Sequence, residues 1–198
     1  MRLPEPPYLD PAHHRTLLDI ATSAIRGALA TGVHVVPDPS ACHADLRAES
    51  ATFVTLERDS TLLGCIGTLE ARRPLAVDVA HHALGAAFSD PRMPAVTERD
   101  FVEMSIKISV LSPAEPMTAS SFVEVADAVR PGVDGLILDA PGRRSTLLPS
   151  VWPKVAEVDE FLYVLWRKAG VEPGTWPRGT RVSRYATEEF GDPGPRTL

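Results

Sequence analysis

Val102-Glu103-Met104-Ser105-Ile106-Lys107-Ile108-Ser109-Val110 alternates without a break between apolar and polar residues. Side chains of an extended strand point to opposite faces in turn, so the apolar set shares one side and the polar set the other. A strand of that kind keeps one face on a core and one in water, as antiparallel sheets allow. The period predicts a strand over residues 102–110. A slip of one residue would put the whole apolar set into water, so the register is strongly specified.

Upstream, residues 51–58 and 61–68 read as two strands joined by a turn at Asp59-Ser60. The second contains Leu62-Leu63-Gly64-Cys65-Ile66-Gly67-Thr68, where a thiol and two glycines coincide in one strand. On alternation Leu63, Cys65 and Gly67 share a face, and Gly64 and Ile66 the other. Gly67 is expected to leave a vacant site beside the sulfur, and Gly64 to admit another backbone from behind. Cys65, Gly64 and Gly67 are therefore candidate site residues.

Asp10 and Pro11 mark a helix start, a cap oxygen followed by a residue with a helical φ preset. Leu17, Leu18, Ala21, Ala24, Ile25, Ala28 and Leu29 recur at helical spacing until Gly32 closes the helix. His13 and His14 in its first turn read as solvated side chains. Residues 33–50, with Pro37 and Pro39, read as an extended connector in which Cys42 adjoins His43. Pro74 opens a second helix whose stripe is Leu75, Val79, Ala83, Ala86 and Ala87, with His81 and His82 inside it. Successive helical residues point about 100° apart, so these two cannot clamp one metal together. The loop Phe88-Ser89-Asp90-Pro91-Arg92-Met93-Pro94 follows, and its Asp90 and Arg92 form a candidate pair whose simplest role is to fix the loop.

Downstream the pattern gives a short helix over residues 122–129 begun by Ser120 or Ser121. A hairpin around Pro141-Gly142 follows, then a helix capped by Asp159 and a last strand over residues 181–185. Antiparallel strands interspersed with helices imply α+β, a mixed and mostly antiparallel sheet with packing helices. Residues 1–7 and 191–198 read as loose ends of a single domain over 8–190.

Composition narrows the function classes. With 44% hydrophobic and 23% charged residues, the 198-residue chain has ordinary globular proportions and enough length for a substantial core. A net charge of −6 argues against nucleic acid, whose affinity rests on Lys and Arg neutralising phosphates. No apolar run approaches the roughly 20 residues of a membrane helix. Two cysteines give no disulfide framework, and a reducing cytoplasm is the expectation. The six histidines are scattered, with no His-Glu-x-x-His or Cys-x-x-Cys spacing. Neither a metal nor a tightly bound organic cofactor is expected. The oligomeric state is left open.

Several ordered motifs carry a family resemblance. They are Leu63-Gly64-Cys65-Ile66-Gly67-Thr68, Ala86-Ala87-Phe88-Ser89-Asp90-Pro91-Arg92, Ile108-Ser109-Val110-Leu111-Ser112-Pro113, Val129-Arg130-Pro131-Gly132-Val133-Asp134-Gly135-Leu136, Thr146-Leu147-Leu148-Pro149-Ser150-Val151-Trp152 and Arg167-Lys168-Ala169-Gly170. With these the chain resembles the AMMECR domain family over nearly its whole length. The resemblance implies a two-lobed α+β domain, one lobe larger than the other. It also implies a gene neighbourhood, that of the AmmeMemoRadiSam set, shared with a Memo-type protein and a radical S-adenosylmethionine enzyme. It carries over no agreed catalytic residue, only interest in Cys65. The family's pattern usually has Arg before the Gly-Cys. Here that position is Leu63, which removes an obvious stabiliser of a thiolate.

Two functional readings follow. In one, the chain is a binding component for a small molecule or a protein, working with the radical enzyme and the Memo-like protein, with Trp152, Trp166 and Trp176 as candidate anchors. In the other it is a thiol-dependent transferase or hydrolase. Cys65 would then be the nucleophile, His81 or His82 the base, and Arg92 or Arg143 the source of positive charge. A buried structural cysteine needs none of these, and the binding reading is the one carried forward.

Overall fold

The computed structural model describes residues 9–198, so the end expected to be loose over 1–7 lies outside the described residues. Along the chain run helices α1 (Pro11–Thr31), α2 (Ala44–Arg47), α3 (Leu75–Phe88), α4 (Glu98–Glu103), α5 (Phe122–Ala128) and α6 (Val158–Lys168). The strands are β1 (Ala51–Arg58), β2 (Thr61–Gly67), β3 (Ser105–Leu111), β4 (Glu115–Pro116), β5 (Gly135–Ala140), β6 (Arg143–Leu147), β7 (Arg181–Tyr185) and β8 (Thr187–Asp192). They form two four-stranded sheets, β2-β1-β3-β8 and β4-β7-β5-β6, and the fold is α+β. Two compact units result. The first holds the described residues up to Leu111 together with Glu188–Leu198, the second Ser112–Thr187.

In the first unit β1 pairs antiparallel with both β2 and β3. Val54, Leu56, Ile106, Ile108 and Val110 are fully buried against α1 and α3. The Asp10 carboxylate accepts from Ala12 N at 2.7 Å, and Gly32 ends α1 in the left-handed region at φ +70°. Helix α3 lies close on the sheet because Gly64 has no side chain. A Cβ there would stand 2.0 Å from the Ala86 carbonyl oxygen. The β1–β2 turn places Asp59 and Ser60 both at positive φ, the primed geometry that matches strand twist.

The alternating strand begins three residues later than its pattern predicts, at Ser105. Thr97 and Asp100 form a reciprocal capping box, which starts a helix that consumes Val102 and Glu103. Met104, the residue between helix and strand, still turns fully into the core. The connector over 33–50 is likewise not extended throughout, because α2 forms one short turn there and buries Leu46. Strand β8 has no apolar alternation to announce it. Gly191 and Asp192 belong to β8 rather than to a loose end, and Arg196 N donates to Val102 O at 3.0 Å.

In the second unit β5 is the central partner, antiparallel to β6 and β7. Ser121 caps α5, with its hydroxyl accepting from Glu124 N at 3.2 Å. Glu157 occupies the cap position of α6, so Asp159 lies in its first turn instead. Trp152 stacks on Phe161 with ring centroids 3.8 Å apart, and its Nε1 donates to Asp134 O at 2.7 Å. Trp166 is fully buried, with Nε1 on Thr175 O at 2.9 Å, and Trp176 packs against this core. Indole burial with the N–H satisfied makes Trp152 and Trp166 core, and Trp176 is half-buried against them. Asp134, fully buried, takes bonds from the backbone N and the guanidinium of Arg130.

Candidate functional site

Helices α1 and α3 cover one face of the first sheet. The opposite face carries Phe53 and Thr55 from β1, Cys65 from β2 and Lys107 from β3, all half-buried, and the exposed Glu189 from β8. Strand register sets Cys65, Thr55 and Lys107 in one row, Cys65 opposite Thr55 and Thr55 opposite Lys107. Side chains so placed are direct neighbours across strands. The Thr55 hydroxyl donates to Cys65 Sγ at 3.2 Å. At the far end Lys107 Nζ lies 3.8 Å from the Glu189 carboxylate, which also accepts from the Ser109 hydroxyl at 2.9 Å. Thiol, hydroxyl, ammonium and carboxylate thus line one polar strip. The place beside the sulfur that Gly67 was expected to leave vacant is filled by the Phe53 ring. A Cβ on Gly67 would meet that ring at 2.3 Å.

Strand β2 is an edge, and a loop occupies its free side. Asp90 accepts from Cys65 N at 2.9 Å, and Arg92 donates to Cys65 O at 2.9 Å. The pair holds itself together, Arg92 Nε to Asp90 at 2.9 Å and Nη2 to Asp90 at 2.6 Å. Two side chains thereby satisfy the main-chain groups a further strand would have taken, and so blunt the edge. The Arg92 guanidinium, joined by the Cys65 and Arg92 backbone N–H groups, holds the Asp90 carboxyl well below the usual carboxylate range. A carboxylate so stabilised is a poor acceptor for a thiol proton at neutral pH.

The histidines nearest Cys65 in sequence lie on the helix side of the sheet. His82 is buried, its Nδ1 3.1 Å from both Thr52 Oγ1 and Asp78 Oδ2. Asp78 accepts in addition from Thr52 N at 3.1 Å and lies 3.3 Å from the Arg73 guanidinium. Side chains at Thr52 and Thr55 point to opposite faces of β1, so this network stands behind the sheet that Cys65 fronts. His81 is exposed and borders a cavity of about 400 Å³ with His34, Ile66 and Ser89. Partial desolvation of the ring, then the charge of Arg73, lowers its pKa. Arg143 lies in β6 of the second unit, beside Gly170. Leu63 is bulged: Leu56 pairs with Gly64 and Glu57 with Leu62, so Leu63 has no partner and joins the helix-side core. A side chain at 63 therefore does not flank the thiol as plain alternation implies.

A family model, AMMECR1, matches residues 18–190. The chain belongs to the AMMECR1 family. It is similar to a protein of Methanothermobacter thermautotrophicus, 35% identical over 91% of this chain and 94% of that one. Protein MJ0810 of Methanocaldococcus jannaschii is 34% identical over 73% of this chain and 74% of its own length. Among solved structures, the uncharacterised protein PH0010 of Pyrococcus horikoshii superposes with a TM-score of 0.86 at 29% identity, covering 96% of both chains.

In this AMMECR1 chain three features escape a reading of the sequence. Lys107 and Glu189 join the Cys65 row only through strand pairing. The Thr52–Asp78–His82 network had a partial signal, an Asp and a His four residues apart beside the buried stripe of α3. The histidines are also not all scattered. The rings of His13 and His43 face each other at 4.7 Å, with Asp45 beside them. No helix among the described residues is long and apolar enough to cross a membrane.

Proposed function

We propose that this AMMECR1-family chain is a binding component rather than a thiol catalyst, and that its working surface is the helix-free face of the first sheet. Its partner there is the radical S-adenosylmethionine enzyme, the Memo-like protein of the family's gene neighbourhood, or their product. The observation that carries this reading is the surroundings of Cys65. Its sulfur meets a threonine hydroxyl, the histidines stand behind the sheet, and the adjacent carboxylate is fully engaged by Arg92. A nucleophilic thiol needs a base within hydrogen-bond reach, and this one has a donor instead. The strip from Cys65 through Thr55 to Lys107 and Glu189 offers a hydrogen-bonding surface on a rigid sheet, which suits recognition.

The thiol-dependent transferase or hydrolase is the second reading, favoured by the Thr55 hydroxyl and the Arg92 guanidinium near Cys65. Both donors would support a thiolate. Iodoacetamide labelling of native protein at neutral pH, followed by mass spectrometry, separates the two. The binding reading expects Cys65 to react no faster than in the urea-unfolded chain. Faster reaction in the native state would transfer the assignment to the enzyme. In parallel, Lys107→Glu is expected to weaken co-purification with the two neighbourhood proteins, and unchanged co-purification counts against this face as the docking surface.

A further inference from the structure

We propose that His13, His43 and Asp45 bind a divalent transition-metal ion of the Zn²⁺ type, which clips the connector between α1 and β1 onto the first turn of α1. Among the described residues they are the one group of His, Cys, Asp and Glu whose ligand atoms all lie within 4.8 Å of one another. They come from two elements. His13 stands in the first turn of α1, His43 at the cap position of α2, and Asp45 in the first turn of α2. His43 Nδ1 is 3.3 Å from Asp45 Oδ2, and His13 Nδ1 is 3.9 Å from the same oxygen.

Ligands at about 2.0–2.1 Å from a tetrahedral zinc ion stand about 3.4 Å apart. The first pair is already at that spacing, the second must close by about half an ångström, and the two imidazole ligand atoms, within 4.8 Å of each other, by up to about 1.4 Å. The His43 and Asp45 side chains are more than half exposed, so rotation about their χ angles can supply the closure. Capping of α2, with Asp45 N donating to His43 Nδ1 at 3.4 Å, accounts for His43 and Asp45 but not for the His13 ring, whose centroid lies 4.7 Å from that of His43. A shared cation accounts for all three.

Two imidazoles and one carboxylate select Zn²⁺, Ni²⁺ or Cu²⁺ over Mg²⁺ and Ca²⁺, which prefer all-oxygen shells. Cys42 stands outside the set, because its sulfur points to Asp38 O at 3.6 Å and packs on the core. Three protein ligands leave a position for water. The site lies on elements away from the Cys65 strip and does not depend on the function proposed for it. Its consequence is mechanical. The connector exposes Val33, Val35 and Val36 and buries Leu46, and a bound ion adds a second anchor that closes the loop between positions 13 and 43.

Untagged protein stripped with a chelator and titrated calorimetrically with Zn²⁺ is expected to bind one equivalent and to melt at a higher temperature when loaded. Loss of a mere supporting partner of a metal ligand costs about 10–100-fold in affinity, so His43→Ala is expected to lose at least about tenfold. The same variant should lose the thermal shift, with its circular dichroism unchanged. Asp45→Asn should follow it, and His34→Ala should match the parent. Absence of saturable binding by the parent, or equal binding by parent and His43→Ala, overturns the site.

Discussion

Asp90 makes its contribution as a single side chain, and its charge state sets when. Its folded-state pKa lies well below the unfolded carboxylate value of about 3.9. The deprotonated form is therefore the one the fold holds. The resulting stability is fully present above that unfolded value and is lost as pH falls through the depressed one. Asp90→Asn has no such proton to take up. It is expected to be less stable than the parent at neutral pH, with the gap narrowing as thermal melts are run below about pH 4. A constant gap would remove the carboxylate from the account. At Gly64 the constraint is steric, since the Ala86 carbonyl leaves no room for a methyl group. Gly64→Ala forces α3 or β2 to move and is expected to cost about 1–3 kcal/mol in urea unfolding. The close approach at Gly64 was legible because alternation assigns it to the face where a helix packs. The space beside Gly67 was not, because the ring that fills it comes from Phe53 across the strand pair.

Elements obeyed their caps more faithfully than their periods. Asp10 with Pro11, Ser121 and Gly32 begin or end helices where the sequence puts them, whereas Asp159 gives way to Glu157 as the cap of α6. Residues 102–110 show the limit of a period. Val102 and Met104 fit an alternating strand, yet the capping box at Thr97 and Asp100 builds a helix through Glu103 first. The sequence Thr97-Glu98-Arg99-Asp100 carried that signal, and a capping box outranks two terminal residues of a strand pattern. The β1–β2 turn allows a test at this scale. Asp59 and Ser60 both adopt positive φ at 49° and 63°, where glycine and asparagine are the preferred residues. The double change Asp59→Asn with Ser60→Gly relieves the left-handed strain. A gain of about 1 kcal/mol is expected in chemical denaturation. A loss would mean that the hairpin is held by its strands and not limited by its turn.

Among the described residues each unit has a main core of its own. Ile108 lies in the first with Val54, Leu56 and Val79, and Leu165 in the second with Phe161, Trp166 and Leu138. Truncating a buried Leu or Ile to Ala costs about 2–5 kcal/mol. Leu165→Ala is expected to accelerate amide hydrogen exchange chiefly in β5, β6 and β7, and Ile108→Ala chiefly in β1, β2 and β3. Equal loss of protection in both units from either change would show a single cooperative structure. At this scale the division between sequence and structure is also plainest. The sequence by itself determined α1, α3, α5 and α6 and most strands, the α+β class, and through its ordered motifs the family. Caps, turns and hydrophobic periods are interactions among residues a few positions apart, so they can be read where they stand. Only the tertiary structure decided that Cys65 faces Thr55 and Lys107 rather than His81 or His82. It alone added β8 with Glu189 beside β3, and brought His13 to His43 and Asp45. Each of those neighbours is delivered by a strand pairing or a chain return that no local period encodes.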